Sequence, residues 1–132
     1  MIKERYVSFE VATLLRNKGF NEPCRGVYEE KVLRINTLCD WLNSDFSEYV
    51  AAPTQTMACD WIEETFNIAI VLDLTILGYE PVFLNGHKDP NIASSNVNQK
   101  DDAPVGDNSD GSWSDKECAY NAALKYVLTN LV

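Results

Sequence analysis

The stretch Gly106-Asp-Asn-Ser-Asp-Gly-Ser-Trp-Ser-Asp-Lys-Glu117 carries the densest set of side chains in the chain that could do chemistry. Setting Gly111 on the invariant glycine of an EF-hand loop puts Asn108 and Asp110 at ligand positions three and five and Glu117 at the bidentate position twelve. Oxygen ligands at that spacing would suit calcium. Gly106 breaks the pattern at position one, where a carboxylate normally opens the coordination, and Trp113 replaces the usual aliphatic at position eight. A polar turn ahead of a capped helix accounts for the same residues, with Ser114 and Glu117 forming an S-x-x-E capping box. The turn is the preferred reading, and a calcium loop through Asn108, Asp110 and Glu117 is its weaker rival.

Other reactive side chains lack partners in the sequence. His87, the sole histidine, lies in the turn-like Asn85-Gly-His-Lys-Asp89, and Asp89 completes no triad because no Ser or Cys stands in a nucleophile context such as G-x-S-x-G. Cys24, Cys39, Cys59 and Cys118 are scattered without a C-x-x-C, which is poor material for zinc, so they read as small buried hydrophobes. The acid pairs Glu29-Glu30, Glu63-Glu64 and Asp101-Asp102 could in principle serve hydrolysis or metal binding, but Glu63 and Glu64, neighbours on a helix, point about a third of a turn apart and do not converge by themselves. Neither G-x-x-x-x-G-K-[ST] nor G-x-G-x-x-G occurs. The expectation is no catalytic residue, no metal beyond the calcium alternative and no cofactor; an enzyme with an unrecognised site stays open as the other alternative.

The elements that would position these residues are better written. Ser8 can cap a helix from Phe9 to about Lys18, with Gly19 beyond its end and Val11, Ala12, Leu14 and Leu15 as its apolar stripe. Val27 to Ile35 has strand composition and is read as one strand, followed by a short helical turn near Leu38 to Leu42. Pro53 suits a first helical turn, and Met57, Ala58, Trp61, Ile62 and Thr65 then recur at helical spacing, giving a helix near 54–66. Ile68 to Thr75 and Glu80 to Leu84 form an antiparallel hairpin in which Gly78 permits the reversal and Pro81 marks an edge strand. Asn85 to Ser112 is rich in Asn, Asp, Ser, Gly and Pro and reads as a long polar loop at 85–112. Tyr120, Ala123, Leu124, Val127, Leu128 and Leu131 make an amphipathic helix near 114–131. The predicted fold is α+β: a small antiparallel or mixed sheet of about three strands against three helices, in a single domain spanning 1–132. The echo Cys39-Asp-Trp and Cys59-Asp-Trp is coincidence, since a repeat architecture needs about three copies.

Net charge is −9, with a balance of +2 over residues 1–34 and −11 over the rest. Such a body repels phosphate backbones, so no direct nucleic-acid contact is expected, and an unknown protein partner, basic in character, fits better. No run approaches the roughly 20 apolar residues of a membrane span, and Met1-Ile-Lys-Glu-Arg-Tyr-Val lacks a signal peptide's apolar core. The expectation is a cytoplasmic protein without membrane contact, and self-association into a homo-oligomer is left open.

Tyr6-Val-Ser-Phe-Glu-Val-Ala-Thr-Leu-Leu-Arg-Asn-Lys-Gly-Phe-Asn-Glu-Pro-Cys24, Ala52-Pro-Thr-Gln followed by Trp61-Ile and Asn67-Ile, and Tyr120-Asn-Ala-Ala-Leu-Lys-Tyr-Val-Leu together resemble an uncharacterised small protein family of prophages and mobile elements in gut Bacteroides-type bacteria. The resemblance carries no activity, ligand or functional residue. What it implies is a small phage or mobile-element protein inside the cell. Joined to the charge, this gives a small acidic non-catalytic accessory protein acting through protein–protein contacts.

Overall fold

A computed structural model of the chain describes residues 4–35, 40–85, 97 and 105–132. Along these run a helix α1 (Phe9–Asn17), strands β1 (Gly26–Glu29), β2 (Val32–Ile35) and β3 (Val50–Ala52), a helix α2 (Gln55–Phe66), strands β4 (Ile68–Leu74) and β5 (Tyr79–Asn85) and a helix α3 (Lys116–Tyr126). The strands make two antiparallel sheets, one ordered β2-β1-β3 and the other β4-β5, so the class is α+β. Residue contacts group the chain into two compact units, 1–58 and 59–132.

In the first unit, Ser8 caps α1 by accepting from the Val11 N–H, and Gly19 leaves the helix in the left-handed region at φ 95°. Val11, Ala12 and Leu15 are buried, whereas Leu14 is only half-buried, so the apolar stripe is narrower than its spacing predicts. The stretch expected as one strand from Val27 to Ile35 is instead a hairpin. Glu30 and Lys31 form its two-residue turn at φ 50° and 65°, a left-handed geometry that asparagine and glycine usually supply, which is why nothing in the sequence announced it. The helical turn expected near Leu38 to Leu42 lies partly outside the described residues. Trp41 is extended and pairs with Cys24, and the only single-turn 3-10 helix of this region among the described residues is Asn43–Asp45.

Asn43 then ties the unit together: its amide donates to the Phe20 carbonyl at 2.8 Å and its side-chain oxygen accepts from Ala51 N–H at 2.9 Å. Arg16, in the last turn of α1, donates to the carbonyls of Phe46, Ser47 and Tyr49 at 3.2–3.3 Å. The buried Tyr28 hydroxyl donates to the Val7 carbonyl at 2.7 Å.

Pro53 precedes α2 rather than opening it, and the Thr54 hydroxyl caps the first turn by accepting from Met57 N–H at 3.2 Å. Ala58 and Ile62 are buried, but Met57 and Thr65 are exposed, leaving a stripe one residue wide per turn. Asn67 ends the helix at φ 60°, with its N–H donating to the Glu63 carbonyl.

In the second unit, β4 and β5 pair in full register from Ile68↔Asn85 to Leu74↔Tyr79. Phe83 is buried and its ring lies 5.4 Å from that of Tyr126 on α3. The predicted capping box at Ser114 is not made. Asp115 is the cap, accepting from the N–H groups of Glu117 and Cys118 at 2.7 and 3.4 Å, because Asp107 engages both the N–H and the hydroxyl of Ser114. Ala119, Ala123, Leu124, Val127 and Leu128 are buried as the amphipathic pattern requires, and the helix widens to π geometry over Val127–Leu131.

Candidate functional site

The polar segment read as a possible calcium loop is built into the protein as a brace. Gly106 N–H donates to the Gly111 carbonyl, closing the loop, and Tyr79 and Trp113 exchange two backbone hydrogen bonds at 2.7 and 2.8 Å. Asn108 donates through Nδ2 to the Leu77 carbonyl at 2.5 Å and to the Ser112 hydroxyl at 3.1 Å. Asp110 accepts from the Ser112 N–H and hydroxyl at 3.0 and 2.6 Å, and its other oxygen lies 3.1 Å from the Thr75 hydroxyl. Two of the three calcium candidates, Asn108 and Asp110, are thereby engaged with the loop and the hairpin it supports. Glu117 stands exposed in the first turn of α3. Among the described residues no group of three or more His, Cys, Asp or Glu is placed to hold a metal ion.

These contacts have an electrostatic consequence. Backbone and hydroxyl hydrogen bonds from Ser114 hold the Asp107 carboxyl below its ordinary value, and the hydroxyl and N–H of Ser112 do the same for Asp110. Both are exposed carboxylates whose negative charge persists into acid solution.

What the brace supports is the turn joining β4 to β5. Thr75 N–H donates to the Gly78 carbonyl at 2.6 Å, and the Thr75 hydroxyl accepts from Leu77 and Gly78 N–H at 3.2 and 3.1 Å. Gly78 is packed so closely that an added Cβ would run into the Trp113 carbonyl oxygen and lie 2.6 Å from Asn108 Nδ2. A backbone this firmly held presents Leu74 at 75% exposure, Ile76 fully exposed and Leu77 at 48%. Single exposed aliphatics are ordinary, but three of them within four residues of a braced turn are not explained by folding. Sequence reasoning assigns this turn to Gly78 alone; the signal it passes over is the aliphatic run Leu74-Thr-Ile-Leu77 where turn-forming residues normally stand.

The first unit holds a cavity of about 240 Å³ lined by Glu4, Tyr6, Cys24, Arg25, Asp40 and Thr54 among others. Cys24, buried on its wall, donates to the Glu22 carbonyl, and burial, aided by Asp40 and Glu22, pushes its thiol up to about 12. Burial and then the hydrogen bond to Glu4 raise the Tyr6 phenol as well. Both groups keep their protons at neutral pH, so neither is a ready nucleophile.

The cysteines do not share one environment. Cys59 is half-buried with its thiol also pushed up to about 12 by burial, while Cys118 is exposed, contrary to the expectation that all would be buried. Cys39, His87, Asp89 and Asp101-Asp102 lie outside the described residues. Glu29 pairs with Arg34 at 3.0 Å across the hairpin, and Glu63 and Glu64 are exposed on α2. Trp41 lies in an isolated bridge with Cys24 whereas Asp60-Trp61 is helical, so the two segments do not share a structure. No helix among the described residues is long and apolar enough to cross a membrane.

No known protein family, curated protein or solved structure matches this chain.

Proposed function

We propose that the protein is a non-catalytic accessory protein of a phage or mobile element, acting in the cytoplasm through contacts with another protein. The observation that supports this reading is the β4–β5 turn, where Ile76 is wholly exposed on a backbone fixed from behind by Asn108, Asp110 and Trp113. Folding alone gives no reason to brace a turn that carries aliphatic side chains into water. A rigid apolar projection lowers the ordering cost of association, since its backbone is already in place. Net charge of −9 favours a basic partner through complementary potential.

The test is crosslinking of the tagged chain in lysate of a bacterium that carries the element, carried out at rising salt. A basic protein captured at low salt and no longer captured as salt increases is the expected result. Retention of nothing, or only of proteins indifferent to salt, would sink the reading.

A further inference from the structure

Asp73 and Glu80 sit directly opposite each other in the β4–β5 register, one pair behind the turn, and both are exposed. Like charges across a strand pair repel, and here nothing of opposite sign is supplied by the neighbouring sequence. From residue 35 to residue 87 the chain has eight Asp and Glu and neither Lys nor Arg. Side chains alternate along a strand, so Asp73 and Glu80 share their face with the next pair, Val71 and Val82, of which Val71 is exposed. Next to the apolar turn, one face of the hairpin therefore carries a doubly acidic pair followed by an apolar one.

We infer that this face and the turn form one docking surface for a basic protein: Val71, Ile76 and Leu77 enter an apolar hollow, and a lysine or arginine of the partner comes between Asp73 and Glu80. The inference rests on the accessory-protein reading and names the surface and the chemistry that recognises it. Charge decides between occupants. Residues 59–132 hold twelve Asp and Glu against four Lys, a balance of −8, whereas residues 1–58 hold eight against seven. A second copy would bring two such carboxylate pairs together, and an anionic bilayer would meet the same repulsion. A cationic side chain removes the repulsion within the pair and is drawn by Asp107 and Asp110 on the loop behind the turn, whose hydrogen bonds keep them ionised.

The inference is tested by panning a display library of random peptides on the full chain and titrating the enriched peptides by calorimetry. The titrations compare wild type, the double variant Ile76→Ser with Leu77→Ser, and the double variant Asp73→Asn with Glu80→Gln. All changed positions are exposed, and matching circular dichroism and melting confirm that the variants fold. Enriched peptides should pair aliphatic or aromatic residues with Lys or Arg and bind either double variant at least about tenfold more weakly. Binding to wild type should weaken with salt, and binding to the uncharged variant should do so less. Binding to either double variant as tight as to wild type, enrichment of neutral or acidic peptides, or no enrichment overturns the inference. The broader reading is then judged separately by the crosslinking result. Sedimentation showing self-association that the Ile76→Ser, Leu77→Ser variant loses would assign the surface to a second copy instead.

Discussion

At the scale of single residues, the loop behind the hairpin depends on two kinds of side chain, one that is absent and two that are charged. Gly78→Ala would place a Cβ against the Trp113 carbonyl, a backbone atom that cannot swing away. The expected cost is about 1–3 kcal/mol in urea unfolding, together with faster amide exchange at Tyr79 and Trp113. Asp107 and Asp110 set a pH dependence. Their folded values lie below the ordinary 3.8, so the stability they contribute is present above that value and is lost as pH falls through the depressed folded values. Protection of the Ser112 and Ser114 amides, which donate to these carboxylates, measured relative to the unfolded chain at the same pH, should hold above the ordinary carboxylate value and fall as pH drops through the depressed folded values. Asp110→Asn should flatten the change at Ser112 and leave that at Ser114.

At the scale of elements, the β1–β2 hairpin and the C-terminal turn of α1 make opposite predictions. Replacing Glu30-Lys31 with Asn-Gly suits the left-handed turn, where each ordinary residue costs about 1 kcal/mol or more. The exchange forfeits the Lys31 ammonium 6.0 Å from the Phe9 ring centre, an exposed contact worth about 0.5 kcal/mol. Relief of the turn outweighs that loss, so Tm should rise by roughly 2–5 °C. Arg16→Lys keeps the charge but loses the fork that reaches three carbonyls, and should lower stability by about 1–2 kcal/mol in denaturant unfolding. Neither feature is written in the sequence. Ser8, Gly19, the Ile68–Thr75 run and the Tyr120–Leu128 stripe were legible because capping, left-handed exits and periodicity are local. The Glu30-Lys31 turn was not, because tertiary pairing imposes a conformation that the residues themselves disfavour. The cap of α3 departs from its local pattern for a related reason: Ser114 satisfies that pattern, but Asp107, seven residues earlier, takes it and leaves Asp115 to the helix. The candidate site was legible only as chemistry without placement. Asn108 and Asp110 stand out in the sequence as polar residues with a structural task, yet what they hold is the aliphatic turn, a relation between residues some thirty positions apart.

At the scale of the whole molecule, charge opposes compactness. Eight of the nine net negative charges belong to residues 59–132, and the carboxylates described there are exposed. Raising ionic strength from about 10 mM to about 150 mM shortens the screening length from about 30 to about 8 Å, and self-repulsion fades accordingly. Tm should rise by a few degrees over that range in differential scanning calorimetry. A fall would mean that attractive ion pairs, such as Glu29 with Arg34, outweigh the repulsion.

The backbone exchange between Tyr79 and Trp113 gives the molecule an optical gauge of its own. The indole of Trp113 is only half-buried and belongs to the segment that grips the hairpin from behind, so anything that loosens or covers that end changes its surroundings. With Trp41 and Trp61 replaced by phenylalanine, emission colour and quenching by iodide would follow events there in real time, without a dye attached.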